Sequence, residues 1–384
     1  MEKKLKDLFS EYASGTILST ANNCIMDFKE VQTFTYRTYI KPREYGDFVW
    51  KTWCSNTVDS TWDDGAVSRA NLPGGKWKIL NAYLADGGSS ADGTIVADSS
   101  VPITYNNSRS KDVEQAETFE SDDVRINIPE GHYLAFTWTI TNKTIGQVLP
   151  YNCEGNLASA YIAKGNLADQ DSNDLFEACE NMLVLPSLIL YKKAVTKNIV
   201  FFGDSITQGV RTQKDKYEYW VSKIADGLGV EYGIWNLGCG WSRAKDAAQD
   251  GKWLYKAKHC DEIVICLGVN DIGTLNRNAD QIINDLTIII NRVKENNSLC
   301  KVILFTVPTF DFKGQQEIAW RRVNEYILKG KFKNVDRIFD ITEILSQDKP
   351  NDNLEKVEYH SNVDDPHPNG LAGTRISEKF LKWY

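Results

Sequence analysis

Residues 197–209 read KNIVFFGDSITQG. Four apolar residues, Ile199 to Phe202, run without a polar break into Gly203, Asp204 and Ser205. An uninterrupted run of this length suits a strand buried on both faces. The Gly-Asp-Ser at its end has two readings. Glycine, aspartate and serine are good turn formers. A serine at the exit of a buried strand is also where a nucleophile can be presented to a substrate.

The rhythm set by this stretch continues to the C-terminus. An amphipathic helical pattern, YEYWVSKIADGLG, precedes a second apolar run, YGIWNLG. DEIVICLGVND, KVILFTVP and VDRIFDI are further strands, separated by the helical segments ADQIINDLTIIINRVKEN and QQEIAWRRVNEYILKG. NGLAGTRISEKFLKWY closes the chain as a helix. This alternation predicts an α/β domain over 196–384, a doubly wound parallel sheet with helices on both faces. Ligand sites in such sheets lie beyond the carboxyl ends of the strands. Glycine or polar signals stand at those ends: GDS, NLGCGW, LGVND and VPTFDF.

Residues 1–195 read differently. Short runs such as TFTYRTYI, FVWKTWCS, KWKILNAYLA and VRINIPEGHYLAFTWTIT are separated by Gly, Asp, Asn and Ser clusters. Val124, Ile126 and Ile128 alternate with Arg125 and Asn127. A β-sandwich domain is the expectation for this half. The total of 384 residues suits two domains.

Composition narrows the function. A net charge of −8 argues against a nucleic-acid partner. No apolar run reaches the ~18 residues of a membrane span. The first residues, MEKKLKDLFSEYASGTIL, lack the apolar core of a secretory signal. A cytoplasmic location with reduced thiols is therefore expected. The eight cysteines form no C-x-x-C pair, so no metal and no other cofactor is expected. The oligomeric state stays open.

A serine hydroxyl needs a base to take its proton. The histidines are His132, His259, His360 and His367. His367 stands in VDDPHPNG, just before the last helix, with Asp364 three residues ahead of it. A D-x-x-H loop allows one carboxylate to orient the imidazole, and Pro366 and Pro368 stiffen it. The developing oxyanion needs donors. The Ser205 N–H, the Asn270 amide in LGVND, and a backbone N–H of NLGCGWSR are candidates. Singly, each motif is also ordinary loop punctuation.

Together the motifs resemble those of the SGNH hydrolases, or GDSL-type esterases. FFGDSITQG matches their first block, Gly268-Val269-Asn270-Asp271 their third, and Asp364 with His367 their last. The resemblance covers residues 197 to 384 and implies a flavodoxin-like arrangement of the doubly wound sheet. It implies Ser205 as nucleophile, His367 as base and Asp364 as its orienting acid. Asn270, the Ser205 N–H and the second block then make the oxyanion hole. That second block departs from the family's N-x-G-x-x-G: counted from Asn236, the last glycine is replaced by Trp241, with Gly240 one place earlier. Either backbone can be the donor. A jelly-roll-like domain ahead of the catalytic one is similar to that of bacterial mannan and xylan acetylesterases. The resemblance implies hydrolysis of short acyl esters, acetyl groups on oligosaccharides first. Longer-chain lysophospholipase or thioesterase activity, acyl transfer, and non-catalytic carbohydrate binding are the rivals. Trp50, Trp53, Trp62, Trp77 and Trp138 could stack on sugar rings, although tryptophans in strands are more often core.

Overall fold

The strand predicted at residues 199–202 is β1, Lys197–Gly203. In the computed structural model, which describes residues 5–62, 68–153, 157–179 and 181–384, β1 lies inside a five-stranded parallel sheet. The other strands are β2 (Tyr232–Asn236), β3 (Glu262–Cys266), β4 (Lys301–Phe305) and β5 (Arg337–Phe339). The spatial order is β2-β1-β3-β4-β5. Chain order reverses at β1, and a crevice opens at such a point beyond the strand ends.

Longer helices are α1 (Trp220–Leu228), α2 (Ala279–Asn296), α3 (Gln315–Leu328) and α4 (Gly370–Trp383). Residues 199–202 carry no alternation because both faces of β1 are covered. Phe201 packs on Trp220 of α1 and Phe380 of α4, with ring centroids at 5.4 and 6.1 Å. On the opposite face Phe202 meets Trp253 at 4.1 Å. Asn278 caps α2 through a capping box with Gln281.

The first half holds two main antiparallel sheets. One centres on Thr33–Ile40, Leu134–Thr141 and Trp77–Asp86. The other is built on Gly46–Ser55, paired with Leu188–Lys192, Thr118–Glu120 and Val124–Ile128. Side chains of the two meet, as where Trp77 packs edge-on against Phe119 at 6.3 Å. Val124, Ile126 and Ile128 are buried, and the residues between them are exposed. Trp50, Trp53, Trp77 and Trp138 are all core residues. They offer no face to a sugar. The Trp62 side chain lies outside the described residues.

The two halves share a hydrophobic interior. Trp53, Leu188 and Leu190 cluster with Val200, Phe202 and Trp235, and the Phe9 ring packs tilted against Trp235 at 4.7 Å. Among the described residues, no helix is long and apolar enough to cross a membrane.

Phe201 is fully buried where α1 and α4 meet the sheet. Phe201→Ala should therefore cost about 3–5 kcal/mol, the range for deleting a buried aromatic ring. Denaturant unfolding of the two proteins measures the difference; a loss below about 1 kcal/mol would contradict this packing.

Candidate active site

The exit of β1 leaves little space. A Cβ on Gly203 would lie 2.0 Å from Thr207 Oγ1 and 2.5 Å from the Cys266 carbonyl oxygen. Only glycine fits. Asp204 then caps the short helix Ser205–Gln208, its Oδ1 accepting the Ile206 N–H at 3.0 Å. Burial pushes the Asp204 carboxyl up to about 7. Gly209 ends the turn in the left-handed region, φ 102°. As the first residue of this helix, Ser205 has an N–H with no carbonyl four residues back to receive it.

His367 reaches Ser205 from a hairpin. The strands His360–Asn362 and Asp365–Pro368 pair, leaving Val363 and Asp364 as the connecting loop. Ser205 Oγ lies 3.0 Å from His367 Nε2. On the other side of the ring, Nδ1 is 2.5 Å from Asp365 Oδ1. The His367 N–H donates to the same oxygen at 3.1 Å. Arg211 Nε donates to Asp365 Oδ2 at 2.9 Å. The Phe310 ring stands edge-on to the imidazole at 5.0 Å.

This corrects the reading of Asp364. The carboxylate on His367 is Asp365. Side chains two apart on a strand share a face, and those three apart do not. Pro366 and Pro368 favour extended backbone here, so Asp365 and His367 point together. Asp364 falls in the exposed loop, where its N–H donates to Asn362 Oδ1 at 3.0 Å.

The hydrogen bond from His367 holds the Asp365 carboxyl well below the usual carboxylate range, with Arg211 reinforcing it. An ionised Asp365 keeps the proton on Nδ1. That leaves Nε2 free to accept from the Ser205 hydroxyl.

Asn270 stands in the short helix Val269–Gly273, and its Nδ2 donates to the Ser242 carbonyl at 3.1 Å. Nδ2 carries two hydrogens, so one donor remains. The neighbouring Asp271 is buried, and burial raises its carboxyl to about 6. It accepts the Ala244 N–H at 2.8 Å and an Arg277 N–H at 2.9 Å. Gly240 and Trp241 are the central residues of a turn closed by the Ser242 N–H on the Cys239 carbonyl at 3.1 Å. Trp241 has φ 61° and its side chain is partly exposed. The tryptophan thus occupies the left-handed conformation that glycine adopts most readily.

The other histidines have other surroundings. His132 Nδ1 is 2.8 Å from Asp86 in the first half. His259 packs against the Tyr255 ring, and burial lowers it to about 4. His360 Nε2 lies 3.9 Å from Asp311. Sequence reasoning misses three residues near the imidazole. Arg211 and Phe310 carry no local signal of their roles. For Asp365, the period-two spacing in Asp365-Pro366-His367 is the available sign.

The model of the GDSL-like lipase/acylhydrolase family matches residues 201–371. No curated protein sequence matches this chain. Among solved structures, a family two carbohydrate esterase from Clostridium thermocellum aligns with 12% identity over 94% of this chain and 98% of that one, TM-score 0.40. One from Cellvibrio japonicus aligns with 11% identity over 97% and 95%, TM-score 0.37. A carbohydrate esterase family 3 protein from Talaromyces cellulolyticus covers 48% of this chain and 95% of its own length at 18% identity, TM-score 0.35.

The two adjacent aspartates allow a clean comparison. Asp365→Asn should lower kcat by about two to four orders of magnitude, since an amide no longer enforces the imidazole tautomer. Asp364→Asn should stay within about threefold of the parent, as a surface change. Steady-state rates on p-nitrophenyl acetate decide it, and the reverse ranking would return the role to Asp364.

Proposed function

Residues 201–371 form a GDSL-like lipase/acylhydrolase domain of an ester-hydrolysing enzyme, and on that premise we propose a Ser205–His367–Asp365 serine esterase that removes short acyl groups, acetyl first, from carbohydrate hydroxyls. The observation that carries the reading is the unbroken contact from Ser205 Oγ through the imidazole to Asp365.

The chemistry follows from that contact. Ser205 Oγ attacks the ester carbonyl carbon while His367 Nε2 takes its proton. Asp365 steadies the imidazolium that results. The carbonyl oxygen becomes an oxyanion, met by the Ser205 N–H, the free hydrogen of Asn270 Nδ2, and a backbone N–H of Gly240 or Trp241. The tetrahedral centre collapses, the sugar oxygen leaves, and Nε2 returns the proton to it. Water then attacks the acyl-serine with His367 again as base. The acid departs and Ser205 regains its proton.

Two features support a sugar alcohol as the leaving group. Trp241, partly exposed within the turn of residues 239–242, offers a flat aromatic face. Arg211, half exposed on Asp365, adds a polar rim. The buried tryptophans of the first half do not contribute to this reading. We take residues 1–195 as a jelly-roll-like accessory domain and 196–384 as the catalytic one.

The substrate test compares p-nitrophenyl acetate, butyrate and octanoate, then acetylated manno- and xylo-oligosaccharides. Acetate should be the best acyl group, with acetate released from at least one oligosaccharide. Preference for octanoate without any oligosaccharide deacetylation would favour a lipid ester or thioester.

Ser205→Ala should leave stability within about 1 kcal/mol. It should cut turnover about 10³-fold or more. Near-parental turnover would remove Ser205 from the mechanism.

The pH profile follows from Asp365. The hydrogen bond from His367 holds that carboxyl well below the usual carboxylate range, so it is ionised before the assay range begins and adds no second acid limb of its own. Activity should rise once, with unit slope, between about pH 5 and 8. A flat kcat/KM profile over that range would contradict a histidine base.

A further inference from the structure

The loop that bears the second block is held from behind by the first half of the chain. Ser19 Oγ donates to the Gly238 carbonyl at 2.5 Å. The Cys239 thiol points at the Ser60 carbonyl, 3.7 Å away. Ser60 Oγ donates to Asp246 Oδ2 at 2.7 Å and accepts from an Arg243 guanidinium nitrogen at 3.2 Å. Arg243 Nε and Asp246 Oδ2 are 2.5 Å apart, with both side chains essentially inaccessible to solvent. One residue before Ser60, Asp59 Oδ2 accepts from Lys256 Nζ at 2.6 Å, and both of those side chains are fully buried. The same oxygen takes the Asn22 N–H at 2.9 Å.

Two buried ion pairs therefore lie where residues 59–60 meet residues 238–256. Burying charge is costly, and well-packed apolar side chains of similar volume usually serve stability as well or better. What such a network supplies is fixed geometry. Something here needs fixing. Trp241 holds a left-handed backbone that a non-glycine residue keeps only when its surroundings over-determine it. Ser242, its neighbour, receives the Asn270 amide. Arg243, next again, is gripped by Ser60 and Asp246. From the other side, Asp271 holds the Ala244 N–H. The oxyanion-side turn is clamped between the third block and the first half.

We propose that the first half is a built-in part of the active site, with Ser60 and the Asp59–Lys256 pair as positioning residues that hold the 238–243 loop where a backbone N–H of Gly240 or Trp241 faces the carbonyl oxygen of the substrate. This rests on the oxyanion reading of Ser205, Asn270 and the second block. Ser60 and Asp59 touch no reacting atom; they act through the loop.

The test uses the full chain. Ser60→Ala removes the shared hydroxyl with little change of volume. Asp59→Leu with Lys256→Met removes the ion pair without stranding either charge. Each is assayed for kcat and KM on p-nitrophenyl acetate and for the Ki of phenylboronic acid, whose tetrahedral adduct on serine needs the oxyanion donors. Circular dichroism confirms folding, and Asn270→Ala is measured alongside.

A mislaid donor costs on the order of 10- to 100-fold. Ser60→Ala should therefore lower kcat by about 10-fold or more, leave KM within about twofold, and weaken phenylboronic acid by the same factor as kcat. A purely structural clamp would lower the melting temperature and leave kcat and Ki of the folded protein unchanged; that result overturns the proposal. If Ser60→Ala does not fold, the paired variant decides by the same two readouts. Asn270→Ala with unchanged kcat would instead overturn the oxyanion reading. Loss in Asn270→Ala without loss in the folded first-half variants would overturn this inference alone.

Discussion

The site depends on a close approach at the end of β1. Gly203 passes Thr207 and the Cys266 carbonyl with no room for a side chain. That contact turns the chain at once from strand to helix, so Ser205 stands at the helix start just beyond the strand's end. β1 lies at the reversal of strand order, where a crevice opens. Everything else at the site is arranged toward that serine. The histidine hairpin comes from the far end of the chain, 162 residues away, and the Asn270 helix from the exit of β3.

The same segment also reaches the acid. Six residues after Ser205, Arg211 ends on Asp365, so the chain leaving the nucleophile returns to the third member of the contact. Serine, imidazole, carboxylate and guanidinium close a ring through one short stretch of backbone. Such a ring limits independent drift of the hairpin and the nucleophile turn. On its other side residues 238–243 are held by Ser19 and Ser60 of the first half. Two remote parts of the sequence thus brace a centre built mainly from strand ends.

Much of this was legible in the sequence because it rests on local periodicity. Residues 199–202 read as a doubly covered strand, and Phe201 and Phe202 do pack on opposite faces. Ser205 and His367 could be paired because each sits in a motif with its own turn chemistry. Asp364 was misread because a motif count assumes a loop, whereas two prolines keep residues 365–368 extended and make the two-residue spacing decisive. Arg211, Phe310 and the Asp59–Lys256 pair left no sign, since each owes its place to tertiary contact between distant segments. The tryptophans of the first half showed their type but not their exposure, and packing between strands put Trp50, Trp53, Trp77 and Trp138 in the core. Trp241 was visible as a departure. Its left-handed backbone, the conformation a glycine would take, emerges only from the three-dimensional structure.

The central claim is that Ser205 is an activated nucleophile, and a covalent probe tests it most directly. The full chain is treated with a fluorophosphonate, digested, and its labelled peptide identified by mass spectrometry, with His367→Ala treated in parallel. One labelled site is expected, Ser205, at a rate that falls by at least about 10²-fold in the histidine variant. Labelling at another residue, or no labelling of the folded protein, would contradict the claim.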